Sequence, residues 1–267
     1  MVKMRSSIVL AGPLLGRFSM AEIAEPGGCV IGSRPVWEHW QALEKLGVQV
    51  NELADRTVLS AKKLVGNKII LDAMSVTATE NVLMAAVLAH GTTQICVAAC
   101  EPEVTNLIQM LKKMGAQITG ENTHCLSVKG VKELHGVDHP VIPDRIEAGT
   151  YALMAIATNS DMTIKNIIPD HMDIFFNRLD KMGVNYELKD KNKLLADLHI
   201  YPLRQTQGKS TKNILHPIKI DTRPYPGYPT DLQAPTAVVM TQLNRKSIIF
   251  ETIFEGRFKY LEELKKM

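Results

Sequence analysis

The sequence predicts an α/β protein that is built from a repeated unit. The segments that begin at Thr79, Gly149 and Thr230 each open on an apolar, helix-like run and continue into a strand-like run. A second helix-like segment follows and ends in a similar pattern, LKKMG at 111–115 and LDKMG at 179–183. Such self-similarity is typical of repeat architectures. No GxGxxG motif follows a strand-like segment, which argues against a pair of Rossmann-like domains.

The chain opens on an earlier copy of this unit. The apolar run Ile8–Leu15 predicts a core helix rather than a secretion signal, because Pro13 interrupts the run and Arg17 follows it at once. The segment Val36–Leu46 predicts a second helix with one apolar side. The alternation in Val48–Val50 then predicts a half-buried strand.

The second helix of the next copy shows why the unit should fold. Val104, Ile108 and Leu111 recur at helical spacing, which gives this helix one apolar stripe. Two lysines occupy its last turn, where the helix dipole favours cations. A glycine follows the second helix of three copies at a constant interval and predicts a left-handed C-cap at Gly47, Gly115 and Gly183.

The composition favours a protein that binds small anionic molecules. Hydrophobic residues make up 45% of the 267-residue chain and charged residues 22%, which is ordinary for a globular protein. The net charge of +3 is spread without a basic block, and aromatic residues are only 5%, so we expect no nucleic-acid partner. No apolar run approaches the roughly 20 residues needed to cross a bilayer, so we expect no membrane partner. The oligomeric state stays open.

The four cysteines are too few for a disulfide scaffold, which favours a reducing cytoplasm. Cys96 and Cys100 lie on an apolar run without a neighbouring His or Cys pair, so core packing is favoured over metal binding. Cys29 differs, because two glycines precede it and Arg34 and a predicted helix start follow. Both neighbours stabilise a thiolate, and such a thiol can serve as a nucleophile or a general acid.

The segment PGGCVIGSRPV at 26–36 resembles the cysteine loop of the UDP-N-acetylglucosamine enolpyruvyl transferases. Six other segments resemble motifs of that family in the family's order: MRSS at 4–7, SVTAT at 75–79, EPEV at 101–104, PDRIEAGT at 143–150, YPTD at 228–231 and FEGRF at 254–258. The resemblance implies an enolpyruvyl transferase-like fold, an inside-out α/β barrel of βαβαββ-type units in two domains. Roughly four of the family's six units would be present.

The resemblance also implies where the two domains divide. Residues 1–143 would form the domain with the cysteine loop and lack its first unit, and residues 144–267 would form a second domain that lacks its C-terminal part. The family's Lys-Asn pair and a distal Arg would fall outside the chain. We therefore expect the isolated chain to be a weak or inactive enzyme.

Roles for individual residues follow from the same resemblance. Cys29 would protonate the methylene carbon of phosphoenolpyruvate, Asp231 would accept the proton of the sugar 3-hydroxyl, and Arg34 would contact the phosphate. The implied substrate-binding residues are Arg5, Arg34, Pro35, Val36, Trp37, Ser75, Val76, Asp231, Ile253 and Arg257. Neither a metal nor another cofactor is expected. Three positions depart from the family pattern, with Ala73 in place of Lys, Thr77 in place of Gly and Trp37 in place of Asp.

Three functions remain open on the sequence. The first is a cytoplasmic transferase that catalyses the first committed step of peptidoglycan synthesis, with the attendant role in cell shape and division. The second is a truncated, non-catalytic paralogue or fragment that at most binds the sugar nucleotide. The third is the shikimate-pathway enolpyruvyl transferase of the same fold, and the PGGC sequence argues against it because that enzyme does not use a cysteine.

Overall fold

The computed structural model describes residues 4–24, 36–190, 193–203 and 215–267. Two compact units are present, and the chain passes from the first to the second between Val141 and Ile142. Within the described ranges, no helix is both long enough and apolar enough to cross a membrane.

The first unit contains two copies of the repeat. A 3-10 helix at Arg5–Leu10 precedes the first copy, which consists of α1 (Ala11–Phe18), β1 (Met20–Ala24), α2 (Trp37–Glu44), β2 (Gln49–Glu52) and β3 (Arg56–Ser60). The second copy consists of β4 (Lys68–Ile70), α3 (Val76–Ala86), β5 (Thr92–Cys96), α4 (Pro102–Lys113), β6 (Gln117–Thr119) and β7 (Cys125–Lys129).

The second unit continues the series. Its first copy consists of α5 (Arg145–Ala157), β8 (Met162–Ile167), α6 (Asp173–Met182), β9 (Tyr186–Lys189) and β10 (Ala196–Ile200), with a 3-10 turn at Pro169–His171. Its second copy consists of β11 (Lys219–Asp221), a 3-10 turn at Thr230–Leu232, α7 (Gln233–Met240), β12 (Ile248–Phe250) and α8 (Tyr260–Leu264).

The sheets repeat one pairing scheme. Their strand orders are β1-β3-β2, β4-β5-β7-β6 and β8-β10-β9, so the last strand of each of these three copies pairs with the two strands that precede it in the chain. These pairs are antiparallel, whereas β4 and β5, like β11 and β12, are parallel. The second copy of the first unit thus has the predicted βαβαββ order, and the α/β fold class is confirmed.

The predicted element ends are largely confirmed, with one difference at the start of the chain. Gly47, Gly115 and Gly183 have φ values of 91°, 107° and 75°, which L side chains rarely adopt. The helix predicted at Ile8–Leu15 is present but consists of the 3-10 segment followed by α1. Since Pro13 has no N–H, it cannot donate to the preceding turn, and the regular α-helical ladder starts only at Ala11.

Helices α1 and α3 pack closely and run in the same direction. A Cβ added at Gly12 would lie 2.1 Å from the Asn81 carbonyl oxygen, and one at Gly16 would lie 3.3 Å from the Leu88 Cδ1 atom. Moving along α1 therefore also means moving forward along α3. The N-terminal ends of both helices lie at one end of the first unit, and their C-terminal ends lie at the other.

The buried Asn81 side chain joins four helical segments of the first unit. Its Oδ1 accepts a hydrogen bond from the Gly12 N–H at 2.8 Å, which identifies this atom as the amide oxygen. Its Nδ2 then donates to the Ile8 carbonyl and to His39 Nδ1, each at 2.9 Å. With Nδ1 accepting, the second ring nitrogen of His39 carries the hydrogen and lies 3.3 Å from Thr77 Oγ1. The sequence patterns indicate neither Asn81 nor His39.

Replacement of Asn81 by alanine should destabilise the protein strongly. The Asn81→Ala variant removes the Asn81 partner of the Gly12 N–H, the Ile8 carbonyl and the His39 ring. Leaving a buried polar group without a hydrogen bond costs roughly 1–3 kcal/mol of stability. We expect a loss of about 3–5 kcal/mol in the free energy of unfolding, measured by urea denaturation. Asn106→Ala is the matched control, because Asn106 makes its side-chain hydrogen bonds at a partly exposed position. An equal loss in both variants would contradict the role given to Asn81.

Candidate active site

The N-terminal ends of three helical segments lie at one end of the first unit. Asn81, in the middle of α3, bonds to Ile8 in the segment that begins at Arg5 and to His39 near the start of α2. The His39 ring also lies 3.3 Å from Thr77 Oγ1 at the start of α3. The Ser75 hydroxyl caps α3 by accepting a hydrogen bond from the Ala78 N–H at 3.3 Å. Helix N-termini carry partial positive charge, so this end of the unit is suited to an anion.

Several of the residues implicated by the sequence lie at this end. Arg5, Val36, Ser75 and Val76 are partly buried, and Trp37 is exposed. The segment 25–35, which ends immediately before Val36, lies outside the described residues and contains Cys29, Arg34 and Pro35. The structure therefore places the starts of α2 and α3 beside each other and leaves the geometry of the cysteine loop undescribed.

The second unit holds a second polar cluster around Asp231. The Arg257 guanidinium forms an ion pair with the Asp231 carboxylate through Oδ1. Its Nε also donates to Thr230 Oγ1 at 3.1 Å, and that hydroxyl donates to Glu251 Oε2 at 2.9 Å. The Arg257 side chain is only 16% exposed, whereas that of Asp231 is 58% exposed. A largely buried cation thus holds one oxygen of a carboxylate that still faces solvent.

Glu251 also fixes the backbone around Ile253. Its Oε1 accepts hydrogen bonds from the N–H groups of Ile253 at 2.8 Å and Phe254 at 3.2 Å. The Arg257 guanidinium lies 5.6 Å from the centre of the Phe254 ring. The sequence-implicated residues Asp231, Ile253 and Arg257 are therefore connected through Glu251. Glu251 itself was missed, although it directly follows β12 and precedes the FEGRF motif.

Comparison with known proteins gives the chain its family. The family model described as EPSP synthase (3-phosphoshikimate 1-carboxyvinyltransferase) matches residues 1–267. The chain belongs to this family. The resemblance to enolpyruvyl transferases is thereby confirmed.

Curated relatives of this family member carry a more specific name. UDP-N-acetylglucosamine 1-carboxyvinyltransferase 2 of Bacillus subtilis is 41% identical over 99% of this chain and 59% of its own length. UDP-N-acetylglucosamine 1-carboxyvinyltransferase 1 of Caldanaerobacter subterraneus subsp. tengcongensis is 43% identical over 99% of this chain and 60% of its own length. The chain thus spans less than two thirds of the length of these relatives.

Solved structures confirm the enolpyruvyl transferase fold of the chain. The enolpyruvyl transferase NikO from Streptomyces tendae matches with a TM-score of 0.80 at 22% identity, covering 97% of this chain and 59% of that one. An EPSP synthase from Acinetobacter baumannii matches with a TM-score of 0.62 at 18% identity, covering 97% of this chain and 58% of that one.

The three described cysteines of this enolpyruvyl transferase family member are less buried than core packing would require. Cys96 and Cys100 are partly buried, and Cys125, which pairs with Cys96 across β5 and β7, is exposed. Burial and then a hydrogen bond with Cys125 raise the pKa of the Cys96 thiol. Burial and then the Glu101 charge raise the pKa of the Cys100 thiol. Both thiols therefore hold less thiolate than an ordinary cysteine.

Glu80, in the second turn of α3, is a carboxyl group with a strongly perturbed pKa. Burial, followed by the charges of Glu103 and Glu101, raises its pKa to about 7. Its pKa in the unfolded chain is close to 4.5. Since the folded state binds the proton more tightly, ionised Glu80 destabilises the fold, and the full penalty is present only above pH 7.

Replacement of Glu80 by glutamine should therefore stabilise the protein in a pH-dependent way. At pH 8 we expect Glu80→Gln to raise the free energy of unfolding by roughly 1–3 kcal/mol, since one pKa unit corresponds to about 1.4 kcal/mol. The gain should shrink as the pH falls from 7 and vanish near pH 4, as measured by denaturant titrations across this range. Glu44→Gln, at an exposed position on α2, is the control and should show no such trend. A Glu80→Gln effect that is constant with pH would contradict the assignment.

Proposed function

We propose that the protein transfers the enolpyruvyl group of phosphoenolpyruvate to the 3-hydroxyl of UDP-N-acetylglucosamine and releases phosphate. The observation that carries this proposal is the 41–43% identity, over 99% of this chain, to relatives named for that transfer. Because the match covers 99% of this chain, it includes the segments that contain the cysteine loop and the Asp231 cluster. The names of these relatives favour the transfer over the second candidate, a non-catalytic fragment.

Asp231 is the proposed base for the sugar hydroxyl. Arg257 holds Oδ1 of its carboxylate, and the exposure of the side chain leaves the other oxygen accessible to a substrate. Arg257 is itself fixed by Thr230, so the carboxylate is oriented before substrate binds. Such preorganisation removes the cost of ordering the base during the reaction.

Cys29 is the proposed acid. As the sugar oxygen attacks C2 of phosphoenolpyruvate, the thiol would deliver a proton to C3, and the Asp231 carboxylate would take the hydroxyl proton. The resulting addition product would then lose phosphate from C2 while the Cys29 thiolate takes a proton back from C3, and the proton held by Asp231 would leave with the phosphate. The new double bond between C2 and C3 forms the enol ether on the sugar. Both steps are balanced by general acid–base chemistry.

The end of the first unit at which the N-termini of its helices lie is the proposed binding site for the diphosphate of the sugar nucleotide. Arg5 contributes a cation, Ser75 and Val76 begin α3, and the helix dipoles favour negative charge there. The proposed product would enter peptidoglycan synthesis, and the proposed location is the cytoplasm.

Phosphate release is the direct test of the proposed reaction. We expect release from phosphoenolpyruvate to depend on UDP-N-acetylglucosamine and to fall at least about 100-fold in Asp231→Asn, since general-base catalysis contributes roughly that much. Asp173→Asn, at an exposed position on α6, should retain the activity of the unchanged chain. Release with 3-phosphoshikimate instead of the sugar nucleotide would contradict the proposed substrate. Equal rates in Asp231→Asn and Asp173→Asn would contradict the proposed role of Asp231.

Thiol labelling tests the cysteine loop without requiring turnover. At pH 7.5 we expect iodoacetamide to modify Cys29 about tenfold faster than Cys96 or Cys100, because the pKa values of those two thiols are raised. UDP-N-acetylglucosamine should protect Cys29, while the exposed Cys125 serves as an unprotected internal control. Mass spectrometry of peptides measures each rate. Protection of Cys29 by UDP-N-acetylglucosamine without any phosphate release would identify a protein that only binds the sugar nucleotide. Faster labelling of Cys96 or Cys100 than of Cys29 would contradict the assigned role of Cys29.

A further inference from the structure

A pocket of about 490 Å³ lies at the end of the first unit opposite Ser75. The C-terminal ends of α1 and α3 line it, together with the segments that follow β3 and β7. Helix α3 separates it from the candidate active site by its full length of eleven residues, or about 16 Å. Leu15, Leu64 and Leu88 give the pocket an apolar lining.

The charged residues that line this pocket are all basic. Lys62 and Lys63 follow β3, Lys129 ends β7, and Lys132 lies three residues further on. No aspartate or glutamate is among the lining residues. All four lysines are exposed, and within the described part of the chain none of them forms an ion pair.

Stabilisation of the helix ends accounts for only part of this charge. A helix C-terminus carries about half a negative charge, so α1 and α3 together offset about one of the four ammonium groups. Carbonyl groups at the end of α3 and in the turn after it already accept backbone hydrogen bonds. The Val87 carbonyl accepts from Val131, and the Gly91 carbonyl accepts from Gly130, each at 2.9 Å. A substantial positive charge in the pocket is therefore left for a ligand.

We propose that this pocket binds a phosphorylated metabolite of about mononucleotide size, separately from the candidate active site. The volume falls within the roughly 300–1,000 Å³ of small-molecule sites. The lysines supply charge-assisted hydrogen bonds for phosphate oxygens, and the partly exposed Leu88 and Val131 provide an apolar surface for a ring or short carbon skeleton. A ligand bound here contacts the C-terminal end of the helix whose N-terminal end carries Ser75 and Val76.

ADP and inorganic pyrophosphate are suitable probes, since ADP adds a ring system to the same diphosphate. In ¹H–¹⁵N correlation spectra, we expect ADP to cause saturable shifts at Gly91, Gly130 and Val131, with a dissociation constant below about 1 mM. Pyrophosphate should shift the same amides and bind more weakly. The double variant Lys62→Gln/Lys129→Gln should weaken ADP binding at least tenfold. The matched double variant Lys45→Gln/Lys113→Gln removes two exposed lysines outside the pocket and should bind within twofold of the unchanged protein.

Two outcomes would overturn the proposal. One is that the ADP-induced shifts are confined to the Ser75 end of α3. The other is an equal loss of ADP affinity in both double variants, which would indicate that ADP is attracted non-specifically as a polyanion. Phosphate release from phosphoenolpyruvate should be unchanged in Lys62→Gln/Lys129→Gln without ADP. The failure of this proposal is thus distinguishable from the failure of the proposed transferase activity. Far-UV circular dichroism of each variant confirms that it is folded.

Discussion

The hydrogen bonds of Asn81 place the helical segments of the first unit relative to one another. One amide from the middle of α3 binds the backbone of Ile8 and Gly12 and the ring of His39, so three segments distant in sequence are fixed by one side chain. Apolar contacts alone would allow these helices to slide, because dispersion attraction has little directionality. A buried amide tolerates few alternatives, since an unmade hydrogen bond there costs more than a made one contributes. The position of each helix start follows from this constraint.

The parallel packing that Asn81 fixes gives the first unit two electrostatically different ends. The helix starts at Arg5, Trp37 and Ser75 favour anions through their dipoles. The opposite end has negative helix termini, and there the positive charge comes from lysine side chains in the segments after β3 and β7. Between the two ends the core excludes water, which is why the ionised form of Glu80 is disfavoured. The same helix packing thus underlies the candidate active site, the lysine-lined pocket and the pH dependence of stability.

The second unit orders its functional residues by a different device. Here a chain of side chains runs from Asp231 through Arg257 and Thr230 to Glu251, which in turn holds the backbone at Ile253. The members come from the turn before α7 and from the segment after β12, and the parallel pairing of β11 with β12 brings those segments together. Because Arg257 has contacts on several sides, its charge is directed at one carboxylate oxygen rather than shared with solvent.

The sequence by itself determined the repeat, the helix ends at Gly47, Gly115 and Gly183, and the family. These features depend on residues close together in the chain, or on motifs whose order survives without a structure. Only the tertiary structure decided the hydrogen bonds of Asn81, the connection of Glu251 to Asp231, and the convergence of Lys62 with Lys129. Each of these joins residues far apart in sequence, and neither periodicity nor capping rules carry information about such contacts. A lysine at the end of a strand looks the same in sequence whether it faces open solvent or a pocket.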